Sequence, residues 1–191
     1  MVATRNTRED VVRAAGRLFA DRGYHGTSMR DLGKEVGLLG SSLYSHVASK
    51  QDLLVEVVAG GARLFEESAE KAMATEGTAA DRLDALIAGH VDVVIDNIEV
   101  ARTFLNEARM LDADHRSPIL DARDRYEETF RTVIRQGMAD GSFDAGTDPK
   151  TASIFILSIL NAIERWYRPN GELDRDALVT ELSGFARSAL A

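Results

Sequence analysis

Apolar residues recur three and four positions apart along most of the chain, and no stretch keeps the strict alternation of a strand. This periodicity predicts an all-α protein. Thr7 followed by Asp10 reads as a capping box; behind it Val11, Ala14, Ala15, Leu18 and Phe19 form one stripe, which Gly23 ends. A second helix is expected from about Ser28 to Val36, with Met29, Leu32 and Val36 on one face, and a short third one after Gly37. Ser49 with Asp52 opens a long helix that turns Leu54, Val57, Val58, Gly61, Leu64 and Phe65 inward. The interior pair Gly60-Gly61 costs about 1 kcal/mol per glycine relative to Ala, which close packing or a bend would offset. Further helices are expected at about 80–97, 99–110 and 118–139. Asp148 reads as an N-cap with Pro149 at the first helical position, and that helix runs to about Tyr167. Asp174 opens the last helix, whose Leu178, Leu182, Phe185 and Ala189 make one stripe.

The helix after Pro149 is unusual. Ile154, Phe155, Ile156, Leu157, Ile159, Leu160 and Ile163 surround most of it with apolar side chains, so it must be buried on several sides. One side suits the chain's own interior and another a partner. Ser158 and Ala162, small and four apart, permit close helix approach. Ser158 and Asn161 break the run, which is far short of a membrane span.

Composition narrows the chemistry. A length of 191 residues suits one large domain or a small module on a larger body. There are no cysteines, which excludes disulfides, thiol catalysis and cysteine metal sites. No apolar signal core opens the chain, so a cytoplasmic location is expected. The histidines at 25, 46, 90 and 115 lack metal-ligand spacing, Asp92 and Asp96 read as a solvated helix face, and Glu127 with Arg131 as a surface pair. With no strand to carry a phosphate loop, neither an enzyme nor a cofactor nor a metal site is expected. The charge is uneven. Residues 1–50 hold eight Lys/Arg against five Asp/Glu, a balance of +3; the remainder holds fifteen against twenty-six, a balance of −11, and the two give the net −8. A small basic module on an acidic body fits a polyanion partner at one end.

That module has the spacing of a helix-turn-helix. Gly33 has no side chain where two helices cross, and Gly37 can take positive φ at the tight turn. The stretch "FADRGYHGTSMRDLGKEVGLLGSSLYSHVASKQDLL" resembles the DNA-binding region of the tetracycline-repressor (TetR) family over about residues 7–55. The resemblance implies a three-helix DNA-binding domain at 1–50 and a ligand-binding and dimerisation domain at 51–191. A recognition helix must approach base edges, so its leading positions should be slim. Gly40, Ser41 and Ser42 are slim, whereas Leu39 cannot cap a helix and would touch a thymine methyl or shield the turn. The resemblance carries phosphate contacts onto Tyr44, His46 and Lys50, and DNA-backbone contacts onto Thr27 and Ser28; base readout would lean on Arg30, Ser42 and DNA shape. From the residues alone, Tyr44 could equally pack on the module's core and Lys50 be merely solvated.

For the body, the resemblance implies a small-molecule effector and a homodimer built by the last two helices. "RWYRPNGEL", with "RYEETFRTVIRQGMADGSF" before it, is similar to TetR-type regulators that sense acyl-coenzyme A thioesters. Arg165 and Arg168 would then pair with phosphates, and Trp166 stack on adenine or the thioester tail. The other reading makes Trp166 a core anchor and the arginines caps of a helix end. The expected function is a ligand-released repressor binding operator DNA, with no membrane partner. A multidrug-type sensor repressor controlling efflux and a ligandless helical DNA-binding or scaffold protein are the alternatives.

Overall fold

A computed structural model describes residues 7–38, 40–168 and 170–191. Helices account for almost all the regular structure of these residues: α1 (Arg8–Arg22), α2 (Met29–Glu35), α3 (Gly40–Leu43), α4 (Lys50–Met73), α5 (Ala79–Asp96), α6 (Ile98–Glu107) with a 3₁₀ turn Ala108–Met110, α7 (Ala113–Asp140), α8 (Pro149–Trp166) and α9 (Arg175–Leu190). Local chemistry explains most of the boundaries. Thr7, Ser28 and Thr78 each accept from the backbone of an Asp three residues on, and that Asp returns the contact in a capping box. Asp148 and Asp174 cap α8 and α9 in the same way without the reciprocal partner.

One start differs from the sequence expectation. Helix α7 begins at Ala113, and Pro118 lies inside it. Asp112 is the reason: its side chain accepts from the His115 amide at 3.0 Å, and its carbonyl receives the Arg116 amide at 2.9 Å. These bonds satisfy donors of the first turn, so the helix forms upstream of the proline.

The chain divides into two compact units. The first comprises Met1–Ala62 and Glu99–Leu120, the second Arg63–Ile98 and Asp121–Ala191; helices α4 and α7 each contribute to both. In the first unit Val11, Phe19, Leu32, Leu43, Leu54 and Val58 are buried, and α6 lies against α1 and α4. A Cβ on Gly61 would stand 2.7 Å from Phe104 Cβ, so the second glycine of the pair serves close packing of α4 on α6. In the second unit α5 packs on α8 and α9. Its Leu83, Leu86, Ile87, Val91 and Val94 are buried, as are Phe130, Ile134, Leu160 and Ile163.

Two apolar stripes fall differently from a simple inward reading. On α9 it is Leu178, Ser183, Ala186 and Leu190 that are buried, while Phe185 is 58% exposed and Leu182 half-buried. On α8, Ile156, Leu157, Leu160 and Ile163 face inward, and Ile154, Phe155 and Ile159 remain exposed. Ion pairs fasten α9 to α5: Arg175 bridges Asp92 and Asp96, and Arg187 reaches Asp84. The expected solvated face at 92 and 96 is exposed, but a distant arginine spans it.

Candidate DNA-reading head and effector site

The turn between α2 and α3 is closed by backbone bonds. Gly37 takes φ +67°, its amide donates to Lys34 O at 3.2 Å, and the Leu38 amide donates to Gly33 O at 2.8 Å. Together they make a Schellman motif, which stops α2 and redirects the chain. A Cβ at Gly33 would lie 2.9 Å from the Leu38 carbonyl oxygen, so the bare position is required by that turn. Leu43 and Leu32 are fully buried beneath it.

The candidate contact residues distribute around this turn. Ser28 caps α2, and its hydroxyl and amide hold the Asp31 carboxyl below the usual carboxylate range. Arg30 and Ser42 are exposed, and Gly40 and Ser41 open α3. Leu39 lies outside the described residues. Helix α3 ends at Leu43, so Tyr44 and His46 sit in the turn that follows it rather than on the helix. Tyr44 is 56% exposed, which sets aside the reading in which it packs on the core. His46 is half-buried. Thr27 is buried; its hydroxyl faces Gly23 O at 3.0 Å and Leu18 O at 3.2 Å, leaving it engaged within the chain.

Lys50 is engaged too. Its ammonium donates to Tyr24 O and Thr27 O, both at 2.8 Å, and lies 4.2 Å from the Tyr24 ring centroid. It thus ties the start of α4 to the loop that enters α2. Nearby groups extend the tie. The Tyr24 hydroxyl donates to Gln51 Oε1 at 2.8 Å, its amide donates to Glu107 Oε2 at 3.1 Å, and Gln51 Nε2 donates to Met110 O at 3.4 Å. The α1–α2 loop is therefore held from α4 and from the end of α6. The sequence offered no periodic signal for this, because the partners are up to 83 residues apart.

In the second unit the sequence-derived effector residues gather at the C-terminal end of α8. The Arg165 side chain is 73% exposed and meets Glu164 at 3.3 Å. Trp166 is 49% exposed and stacks edge-on against Tyr167. Arg168 donates through Nη1 to Arg165 O and Tyr167 O at 3.2 and 2.9 Å, so it caps the helix end. A pocket of about 330 Å³ opens elsewhere in this unit, lined by Glu66, Ala69, Glu70, Met73, Arg125, Tyr126 and Thr129. Arg125 pairs with Glu66 at its mouth at 2.7 Å. Behind it lies a pair that the sequence reading passed over: His90, 1% exposed, meets the Tyr126 hydroxyl through Nδ1 at 3.1 Å. The signal that could have found it is the position of His90 on the apolar stripe of α5, between Ile87 and Val94. Burial pushes the His90 pKa down to about 3 and raises that of Tyr126, so both are neutral.

Among the described residues no group of three or more His, Cys, Asp or Glu side chains could hold a metal ion, and no helix is long and apolar enough to cross a membrane.

Two family profiles match this architecture. Residues 11–57 match that of bacterial regulatory proteins of the tetR family, and residues 76–190 match the tetracyclin repressor-like C-terminal domain. The chain belongs to the TetR family. It is accordingly a helix-turn-helix DNA-binding transcriptional repressor and not an enzyme. Among curated TetR-type relatives, the HTH-type transcriptional repressor KstR2 of Rhodococcus jostii is 26% identical over 185 residues, covering 96% of this chain and 91% of that protein. Among solved structures, the TetR family regulator PfmR of Thermus thermophilus is 28% identical with a TM-score of 0.86, covering 95% of this chain and 98% of its own. AibR, solved with isovaleryl coenzyme A and operator DNA, is 24% identical with a TM-score of 0.86, covering 93% of this chain and 96% of its own; at that identity the likeness speaks to the fold.

Proposed function

We propose that this repressor reads its operator as a homodimer and leaves it when an acyl-CoA thioester binds the body. The observation that carries the proposal is the outward face of α8 and α9: Ile154, Phe155, Ile159 and Phe185 are 42%, 64%, 36% and 58% exposed. Large apolar side chains clustered on a surface mark an interaction site. A second copy would cover them by packing α8 and α9 into a four-helix bundle, and a twofold reader supplies the two heads that paired half-sites require. In that reading the DNA-binding domain spans about 1–50, the body 51–191, and Ser28, Arg30, Leu39, Gly40, Ser41, Ser42, Tyr44, His46 and Lys50 form the operator surface, with the buried Thr27 supporting it from behind.

Three features support the effector class. Arg165 and Trp166 are exposed and accessible to a phosphate-bearing head. "RWYRPNGEL" resembles the corresponding segment of acyl-CoA sensors. AibR, of the same fold, binds isovaleryl coenzyme A. One observation favours a second reading. The pocket beside α4 carries Glu66 and Glu70, carboxylates that repel an anionic head and suit an uncharged or cationic drug-like ligand.

Operator release assayed with a panel of acyl-CoAs, their free acids, coenzyme A and uncharged or cationic amphiphiles separates the two readings. Thioesters are expected to act, and the free acid and coenzyme A alone far more weakly. Release by the amphiphiles alone would transfer the assignment to the drug-sensor reading. Light scattering checks the dimer: the wild type should run as a dimer and Phe185→Glu as a monomer with lost operator affinity. A monomeric wild type at micromolar concentration would remove the homodimer.

A further inference from the structure

Tyr24 opens a tight turn. The Thr27 amide donates back to its carbonyl at 3.3 Å, and a Cβ on Gly26 would run into the Arg22 carbonyl oxygen. The Thr27 hydroxyl, set on Gly23 O and Leu18 O, fastens the turn to the end of α1, and the next residue, Ser28, caps α2. The path from Tyr24 to α2 therefore has little freedom. Whatever fixes Tyr24 fixes the entry to α2.

Tyr24 is fixed from several directions. Its carbonyl receives the Lys50 ammonium and its amide donates to the Glu107 carboxylate, so the backbone of one residue lies between a cation and an anion. Such charge-assisted bonds are stronger than neutral ones. Its hydroxyl donates to Gln51, which reaches on to Met110 O at the close of the 3₁₀ turn after α6. Glu107 stands out in this arrangement. It is the half-buried last residue of α6, and its other carboxylate oxygen lies over Gly23, 3.6 Å from where a Cβ would be. In the same unit the carboxylates of Glu35 and Glu56 are paired with Arg17 and Arg8, whereas Glu107 turns its charge to an amide. A negative charge in a unit that approaches DNA works against binding.

We infer that Glu107 is a positioning residue for operator binding: its carboxylate holds the Gly23–Ser28 segment, and with it Arg30 on α2, where DNA requires them, against the repulsion of its own charge. The inference rests on the operator surface proposed above. Two effects pull in opposite directions at this residue. Coulomb repulsion alone makes loss of the carboxylate favourable for binding any DNA. Loss of the hold is unfavourable for the operator only, because non-specific binding depends on charge and not on the register of side chains with bases. The sign of the operator response tells the two apart.

The test measures the affinity of the wild-type chain, Glu107→Ala and Glu107→Gln for two duplexes of equal length: an operator recovered by selection from a random pool, and its scrambled sequence. Salt is held constant, and stoichiometric titration fixes the binding-competent fraction. Glu107→Ala should bind the operator about tenfold more weakly, the scale of one charge-assisted bond, and the scrambled duplex at least as tightly as the wild type. Glu107→Gln keeps an acceptor for the Tyr24 amide but not the charge, so its operator-to-scrambled ratio should fall by only about threefold. Operator binding by Glu107→Ala that is unchanged or tighter overturns the assignment. So does equal weakening on both duplexes, the mark of a merely structural loss. Should Glu107→Ala fail to fold, Glu107→Gln carries the test, and an unmoved ratio there overturns the assignment. Arg30→Ala separates the inference from the reading beneath it. If that variant leaves operator affinity unmoved, α2 is off the operator surface and both fall; a loss in Arg30→Ala beside an inert Glu107→Ala overturns the positioning role alone.

Discussion

The two units of the chain differ in how far their buried polar groups are paired; in the body the Ser153 hydroxyl donates to Lys150 O at 2.8 Å, but other groups are left over. In the first unit, the buried hydroxyls of Thr27 and Thr103 are both spent inside the chain, on Leu18 and Gly23 carbonyls and on the Gly16 carbonyl at 3.2 Å. In the body, His90 Nε2, Arg131 Nε, Asp84 Oδ1 and Ser183 Oγ are buried without a hydrogen bond of normal geometry. Burial raises the Asp84 pKa, against the opposing pull of Arg187 and the Ser183 hydroxyl. A surface that must match DNA gains from internal bonds that fix its shape. A body that responds to a small molecule, as proposed above, would gain from groups whose bonding a ligand can complete.

The comparison breaks most readily at Lys50. If its ammonium holds the head together through Tyr24 O and Thr27 O, Lys50→Met should destabilise the protein by about 2–3 kcal/mol, the scale of hydrogen bonds to a charged group. Urea denaturation measures this. If Lys50 serves DNA phosphates alone, stability stays put and only the salt dependence of operator binding falls, by about one unit of slope. Thr27→Val should cost less, about 1–2 kcal/mol, because it keeps the shape and removes one buried hydroxyl bond. A loss near zero there would mean that the head is no better satisfied than the body.

The smallest change at neutral pH is expected in the body. The double variant His90→Phe/Tyr126→Phe removes both partners of one buried bond and the unmatched N–H with them, so it should be nearly neutral at pH 7. Acid reveals the difference. His90 has a folded pKa of about 3 against 6.5 unfolded, so the unfolded chain binds more protons between those values. Its contribution is complete above pH 6.5 and declines as pH falls through that window, by roughly 1.4 kcal/mol per pH unit. The double variant lacks this term and should lose less stability between pH 6.5 and 5 than the wild type. Parallel losses in thermal melts would show that His90 is not buried neutral.

What the sequence disclosed and what it withheld follow from range. Caps at Thr7, Ser49, Asp148 and Asp174 were legible because each is settled within three residues. The glycines at 33 and 37 were legible for the same reason. The start of α7 was misplaced at Pro118 because proline is a loud signal and the Asp112 cap a quiet one. Periodicity located the apolar residues of α9 but could not say which stripe its own chain would cover; Leu178 went in and Phe185 stayed out. The roles of Lys50 and His90 were beyond reach, since carbonyls 23 and 26 residues away decide the first and a phenol 36 residues away decides the second.

The contact between Gly61 and Phe104 places a constraint on descent. With 2.7 Å between the Phe104 Cβ and the place a methyl would occupy, residue 61 cannot gain a side chain in this packing while residue 104 has one. Homologous chains that carry alanine or serine at 61 should carry glycine at 104 or hold α6 farther from α4, while those with any side chain at 104 in the same packing should retain the glycine. Drift at one site thus waits on the other, and the pair should be inherited as a unit even where the rest of α6 has diverged.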